Sequence, residues 1–390
     1  MSIKIKAINL GHGESIIIKI NNDDSEEQKK FNILVDAGNG KKCTTSEGLE
    51  IPSTELVDRI KNDNISIHGI VMTHTDDDHI GGMIKLLSSH YSEAEEYLKI
   101  IYVVFDTYDD SHKISFQQGN DLQLLIREKL KGSVLINSYS NDYVAVSKRI
   151  RSKIMLKGNV IQSNIYSLSS RKLVKQLDHN IINITILPPK SGNIDTLMKC
   201  WKEHNESVDT RRKKVKDAAA KEVKNSSSVA FLLEYQRKKL VFGGDGNLED
   251  IDGALKELDK ECKKNGIGPL KLDLFKLLHH GAYGNNQGIC DFLERYGCKK
   301  VIYSTNSKKY KTHPDIGMLC DIVEMGVKIY ATNPITSEVV HNQYSKYRER
   351  LVKINDYKTE NNEKIKIFTE EELLNLLQEK VISGGTDVEI

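Results

Sequence analysis

Residues Thr73 to Gly82 read THTDDDHIGG: three consecutive aspartates lie between two histidines, and two glycines follow. The run comes straight after the apolar stretch GIVM, where so much negative charge is costly unless something positive neutralises it. Side chains alternate in an extended loop, so His74, Asp76 and Asp78 can converge on one side. His79 then turns in at the start of the next helix, Asp77 faces away, and Gly81 and Gly82 let that helix pack closely. Four ligand-type side chains in so short a stretch can hold two cations. Taken alone, the string reads equally well as a solvated loop with a helix-capping aspartate and two incidental histidines.

The rest of the chain decides between those readings. Asp36 follows FNILV, Asp245 follows KKLVFGG, and His279 and His280 follow LDLFKLL. Metal-competent residues thus recur at the C-terminal ends of apolar strands, which is where layered α/β proteins build sites. No Gly-x-Ser-x-Gly elbow offers a serine nucleophile instead.

The elements that must position these residues are legible in the first and last thirds. IKIKAINL, SIIIKI and FNILVDAG read as short strands, with the polar NNDDSEEQKK as a hairpin loop. PSTELVDRIKND has a helical pattern, IHGIVMT is a buried strand, a helix starts at DHIGGMIKLLSSH, and KIIYVVF is a further strand. Between 107 and 180 the pattern blurs around a helix at DLQLLIREKLKG and the basic SKRIRSKIMLK. After NIINITILPP and the basic TRRKKVK, strand and helix alternate again through SSVAFLLEY, KKLVFGG, LEDIDGALKELDKECKK and LDLFKLL to VKIYATN. TEEELLNLLQEKV closes the chain as a helix, and ISGGTDVEI reads as a frayed tail. Strands and helices in this order predict an α/β layered fold. The expected domains are 1–345, carrying 107–180 as an inserted lid, and a C-terminal helical extension with tail over 346–390.

The 390 residues suffice for a large core, and a formal net charge of +2 by itself names no acidic partner. The apolar runs are too short to cross a bilayer, and the N-terminus has no secretory pattern, so no membrane association is expected. Six cysteines without CxxC spacing point to free thiols and a cytoplasmic location.

HTDDDHIGG, LVFGGDGN and LLHHGAYG resemble the metallo-β-lactamase superfamily. The nearest branch is that of the hydrolase domain of bacterial DNA-uptake (competence) channel proteins and the phosphorylcholine esterases, with HxDxDH where most of the superfamily has HxHxDH. INLGHGESIIIKI, ILVDAGNG, NSSSVAFLLEY and the 303–333 segment are similar to further motifs of that branch. The likeness covers residues 1 to about 105 and 180 to 335. It implies an αββα sandwich of the metallo-β-lactamase fold with two divalent metal ions, Zn2+ or Mn2+, with Mg2+ also compatible. By resemblance His74 and Asp76 hold one metal; Asp78, His79 and either His279 or His280 hold the other. His280 is preferred because it lies further into the glycine loop. Asp245 bridges the two and Asp36 braces the loop. The sequence departs from the pattern at Asn225, where a histidine usually completes the first metal. Asn9, His12 and the Gly281-Ala282 pair are further departures. An oxygen-rich ligand set shifts preference towards manganese or magnesium.

Two cations about 3.5–4 Å apart activate a shared water and clamp phosphoryl oxygens. The expected function is therefore a nuclease or phosphodiesterase acting on nucleic acid or another phosphodiester, with Asp78, Asp245 and His313 as catalytic residues. His313, in KTHPD, matches a histidine of the branch, as a phosphate contact or a proton donor to the leaving oxygen. Lys308, Lys309, Lys311 and the two basic segments are candidate backbone contacts, although charge runs are more often solvated faces. The alternatives are a hydrolase of a small phosphoester or cyclic nucleotide, and a catalytically weak sensor or scaffold in a bacterial antiviral defence complex. Relatives in such systems accompany an ATPase, which would make a protein partner, but no residue of this chain points there.

Overall fold

The computed structural model describes residues 2–11, 13–22, 29–45, 48–105, 117–136, 163–167, 181–187, 225, 227–305, 312–357, 366–384 and 387–390. Outside the described residues lie His12, both basic segments, Lys308, Lys309, Lys311 and much of 107–180.

The chain is a mixed α/β protein built on two large sheets. The first contains β1 (Ser2–Ala7), β2 (Ile16–Asn22), β3 (Lys29–Val35), β6 (Ile67–Met72), β7 (Leu98–Phe105), β8 (Val134–Ile136) and β17 (Val388–Glu389), in the order β17-β1-β2-β3-β6-β7-β8. The second contains β9 (Ser163–Ser167), β10 (Ile182–Leu187), β11 (Ala230–Tyr235), β12 (Lys238–Phe242), β13 (Leu274–Lys276), β14 (Lys300–Tyr303), β15 (Lys328–Ala331) and β16 (Val381–Ile382), in the order β16-β15-β14-β13-β12-β11-β10-β9. A small ribbon pairs β4 (Cys43–Thr44) with β5 (Glu50–Ile51).

Strand alternation sorts the buried side chains into layers. Ile16, Ile18, Phe31, Ile33 and Val71 of the first sheet share one cluster with Phe231, Leu233, Leu240, Phe242, Leu274 and Ile302 of the second. The intervening residues Ile17, Leu34, Ile70 and Met72 face outward. They pack against α1 (Glu55–Asn62), α2 (Asp77–Ser89), α3 (Tyr91–Ala94) and α4 (Gln117–Lys129). On the second sheet Leu232, Val241, Phe275 and Val301 face the other way. There they meet α5 (Leu248–Lys264), α6 (Ile289–Arg295), α7 (Ile316–Glu324), α8 (Ser337–Tyr357) and α9 (Glu370–Lys380). Strands covered on both faces lose polar alternation, which is why IHGIVM and AFLLEY read as continuous apolar runs.

Within the 107–180 insert, α4 packs Leu122 and Ile126 into the core of the first layer, β8 pairs with β7, and β9 pairs with β10. The junction expected at 345 and 346 falls inside α8, whose Val340 and Leu351 share one core. Within the stretch expected to be a frayed tail, Ile382 belongs to β16 on the edge of the second sheet, and β17 pairs with β1. Strands of two residues carry too little pattern to be read locally. Among the described residues no helix is long and apolar enough to cross a membrane, and none of the five described cysteines is in a disulfide.

Candidate metal centre

β3, β6 and β7 run parallel, as do β12 to β16, and the chemistry-bearing loops leave the C-terminal ends of these strands. Such ends gather residues from different parts of the chain into one crevice. Asp36 follows β3, Thr73 and His74 follow β6, Asp245 follows β12, His279 and His280 follow β13, and Ser304 follows β14.

The structure brings most of the expected ligands together. His74, His79 and Asp245 offer ligand atoms that all lie within 4.8 Å of one another, and so do Asp78, His79 and His280. Asp245 sits in the middle: its Oδ1 is 3.4 Å from His79 Nε2, and its Oδ2 is 3.8 Å from His280 Nε2 and 4.0 Å from His74 Nε2. Asp76 Oδ2 lies 4.0 Å from His74 Nε2, and Asp78 Oδ2 lies 3.5 Å from His280 Nε2. His279 borders the cluster with Nε2 3.6 Å from Asp245 Oδ2, more exposed than the fully buried His280. Asp77 points away, paired with Lys41 at 2.7 Å and with Gln118 at 2.6 Å.

Neighbouring groups fix the orientation of the imidazoles. Asp36 Oδ2 is 2.8 Å from His79 Nδ1, and Asp36 accepts from the Thr73 amide and hydroxyl, each at 2.7 Å. His280 Nδ1 donates to the Ser304 carbonyl at 2.7 Å, which turns Nε2 towards the cluster. His279 Nδ1 is 3.0 Å from Asn285 Oδ1, and the Asn285 amide donates to the carbonyls of Asp245 and Gly246, each at 2.9 Å. Asp36, His279 and His280 have φ of 53°, 47° and 57°. Left-handed backbone at such residues costs about 1–3 kcal/mol each and persists where surrounding contacts enforce it.

The other two sequence candidates lie at the margin. His313 is half-buried, with its ring centroid 5.0 Å from that of His279. Asn225 is buried, its Oδ1 has no hydrogen bond, and its carbonyl accepts from the Ser228 amide at 3.0 Å, next to Val229, whose amide donates to the Thr73 carbonyl at 2.7 Å.

Sequence reasoning missed Glu14 and Lys276. Both are buried and in contact, and the Glu14 carboxylate lies with Asp245 and His280 within the same 4.8 Å limit. A lysine inside the apolar run LDLFKLL was the available signal, because a buried ammonium requires a partner. Thr73, Asn285 and Ser304 carried no signal: nothing in their types separates them from ordinary turn residues.

Burial pushes the His74 imidazole down to about 4, and the neighbouring His79 adds to this. Burial opposes charge on His79 too, yet Asp245 and Asp36 hold its pKa well above the ordinary histidine value. Desolvation would raise Asp245, but His79 and His280 hold it well below the carboxylate range. Burial raises the Glu14 carboxyl against the pull of Lys276. Protonated His79 therefore offsets part of the negative charge of Asp36 and Asp245 when no cation does. A divalent cation takes that role only by displacing the proton.

The buried polar atoms of the cluster bear on whether it fits metal ions. His74 Nε2, His79 Nε2 and Asp245 Oδ1 are buried without a well-formed hydrogen bond, the last two approaching each other only to 3.4 Å. Leaving such an atom unsatisfied costs roughly 1–3 kcal/mol. Three converging on one point fit a site completed by cations. Comparison of the chain with protein-family models and with curated proteins finds no match.

Proposed function

We propose that this chain is a metal-dependent hydrolase of phosphodiester bonds, a nuclease or phosphodiesterase built on the metallo-β-lactamase fold. The observation that carries the reading is the set of buried ligand atoms without well-formed hydrogen bonds around Asp245, contributed by loops of both sheets. Two sheets that share one core, with helices on their outer faces, support the αββα arrangement.

In this reading His74 and Asp76 would hold one divalent cation, Asp78, His79 and His280 would hold the other, and Asp245, which lies between them, would contribute to both. Mixed imidazole and carboxylate donors suit zinc or manganese, and the carboxylates also admit magnesium. When bound, such cations supply Lewis acidity, which lowers the pKa of water to about 7 and offsets charge on a phosphoryl group.

The chain's own groups do the positioning. Asp36 and the Ser304 carbonyl orient His79 and His280, and Asn285 ties His279 to the backbone of Asp245. Burial pushes His313 down to about 4, so its ring is neutral at pH 7. A neutral imidazole is a poor proton donor to a leaving oxygen, and a hydrogen bond to the substrate is the role that fits it.

One observation favours the narrower reading, a small phosphoester or cyclic nucleotide. A cavity of about 200 Å³ is lined by Thr312, next to His313 in the chain, and by Tyr283, Asp315, Lys346, Tyr347 and Arg350 among others. Two tyrosines and Lys346 on its wall suit a compact aromatic phosphoester such as a nucleotide, while Arg350 is already paired with Asp321. The test is incubation of purified protein with single- and double-stranded DNA, RNA, cyclic nucleotides and bis-nitrophenyl phosphate across Mn2+, Zn2+ and Mg2+. Cleavage that needs a divalent cation is expected, and the preferred substrate separates the two readings. No cleavage of any of them by protein carrying two cations would overturn both.

A further inference from the structure

Beneath the proposed ligands lies a layer of charge that the ligand scheme does not use. Lys276 ends β13 on the face turned towards the other sheet, where Leu274 also points. Its ammonium contacts the carboxylate of Glu14, and both side chains are buried. The ammonium also donates to the Gly244 carbonyl at 2.9 Å, one residue before Asp245. Gly244 has φ +51°, and a Cβ there would come within 2.5 Å of Thr73 Oγ1, so this turn sits tightly against the acidic loop.

Glu14 comes from the loop between β1 and β2 of the other sheet, where its amide donates to the Asp78 carbonyl at 2.9 Å and its carbonyl accepts from the Gly38 amide at 2.7 Å. The ion pair therefore links the Asp245 turn of one sheet to the Asp78 loop of the other. A well-packed apolar pair of similar size would stabilise the core at least as well, because two desolvated charges regain little beyond their hydration. Stability alone does not explain its place.

Charge offers a reason. Asp36, Asp76, Asp78, Asp245 and Glu14 bring five negative charges to the crevice. Two divalent cations and the Lys276 ammonium bring five positive ones, with the imidazoles neutral as ligands. Without Lys276, Glu14 would be a surplus buried carboxylate. Without Glu14, the ammonium would repel the cations.

We propose that the Glu14–Lys276 pair is a positioning element for the metal centre: it fixes the Asp245 turn against the Asp78 loop and balances the charge, so that the two cations bind together. This rests on the reading of the centre as dinuclear.

The test titrates Mn2+ into the metal-free full chain by calorimetry, and follows thermal melting of the same metal-free samples. Wild type, Glu14→Gln and the double variant Glu14→Gln/Lys276→Met are compared. Wild type is expected to take two cations. Glu14→Gln leaves the ammonium uncompensated and should weaken binding about 10–100-fold, the range found for partners that orient metal ligands. The double variant removes both charges and the bond to Gly244, so it should bind with a similar loss while melting within a few degrees of wild type. A pair that only stabilises the core would shift melting and leave affinity alone. Wild-type affinity for two cations in either variant overturns the proposal. Should the double variant fail to fold, Glu14→Gln, which is isosteric, decides the matter by the same criterion. A wild type that takes fewer than two cations removes the dinuclear reading itself, and the pair's role with it.

Discussion

Asp36 holds His79 from a left-handed backbone that few residues other than glycine and asparagine adopt, and one of its oxygens also takes the Thr73 amide. Asp36→Asn keeps the shape and tolerates that backbone, but it exchanges an anion for a neutral amide beside Nδ1. Cation affinity is expected to fall about 10–100-fold with little change in melting. Calorimetric titration reads this directly, and undiminished affinity would detach Asp36 from the centre. Asp245→Asn should act more severely, because an amide nitrogen has no lone pair with which to reach a second cation. Turnover is expected to drop by at least about 10²–10³-fold, the loss typical when one electrostatic contact to a developing charge is removed. The fold should survive, since the turn is set by Gly243, Gly244 and Gly246. Activity within a few-fold of wild type would take Asp245 out of the site.

Two glycines show how an element's surroundings set the sign of a substitution. Gly82 of α2 donates to the Gly38 carbonyl at 2.8 Å, and a Cβ there would lie 1.9 Å from the Ala37 carbonyl oxygen. The obstacle is backbone on both sides, so either the helix that starts the ligand loop or the loop after β3 must move. Gly82→Ala should cost about 1–3 kcal/mol and weaken cation binding as well. Gly253 lies inside α5 with nothing within 4 Å of its missing Cβ. Gly253→Ala should stabilise by about 0.5–1 kcal/mol, the helix preference of alanine over glycine. Denaturant unfolding of both variants checks the opposite signs.

The contact between α5 and α6 carries a pH dependence. Asp252 receives Arg295 Nη1 at 2.6 and 2.8 Å, the Tyr296 hydroxyl at 3.0 Å and Lys256 at 2.8 Å. Burial alone would raise its carboxyl, but Lys256, Arg295 and Tyr296 together lower it. A lowered folded-state pKa means that the stabilisation is present above the ordinary aspartate value and is lost as pH falls through the folded one. Asp252→Asn should therefore destabilise at pH 7, by about 1 kcal/mol or less for a half-buried pair screened by solvent. The gap between variant and wild type should close in acid. A gap that persists there would assign the effect to packing.

At the scale of the whole molecule, the chain's last residues close both sheets. β16 pairs with β15 and β17 with β1, Val388 is buried in the core between the sheets, and Lys300 donates to the Glu389 carbonyl at 2.6 Å. Deleting 387–390 exposes the edge of β1 and removes Val388, whose burial is worth about 1.5–3 kcal/mol. Melting should fall by about 1–2 °C for each kcal/mol lost in a chain of this length. The number of bound cations should stay the same, because none of these residues belongs to the ligand cluster. Unchanged melting would show that the end of the chain contributes nothing to the sheets.

The sequence by itself determined the layered α/β class and the positions of the histidines and aspartates at strand ends. Both follow from local pattern: apolar periodicity marks a buried strand, and a charged run directly after it needs compensation. His74, Asp76, Asp78, His79 and Asp245 could be read this way, and so could the outward turn of Asp77. Only the tertiary structure decided which loops face each other. Ser304 donates to the Gly13 carbonyl and orients His280, although 291 positions separate Ser304 from Gly13. The pairing of Glu14 with Lys276 arises from two sheets packed face to face, and the two-residue strands at the chain's end are held only by partners already in place. Periodicity reports which face of an element is buried. It says nothing of what stands opposite, because that depends on register and sheet packing fixed by contacts remote in the chain.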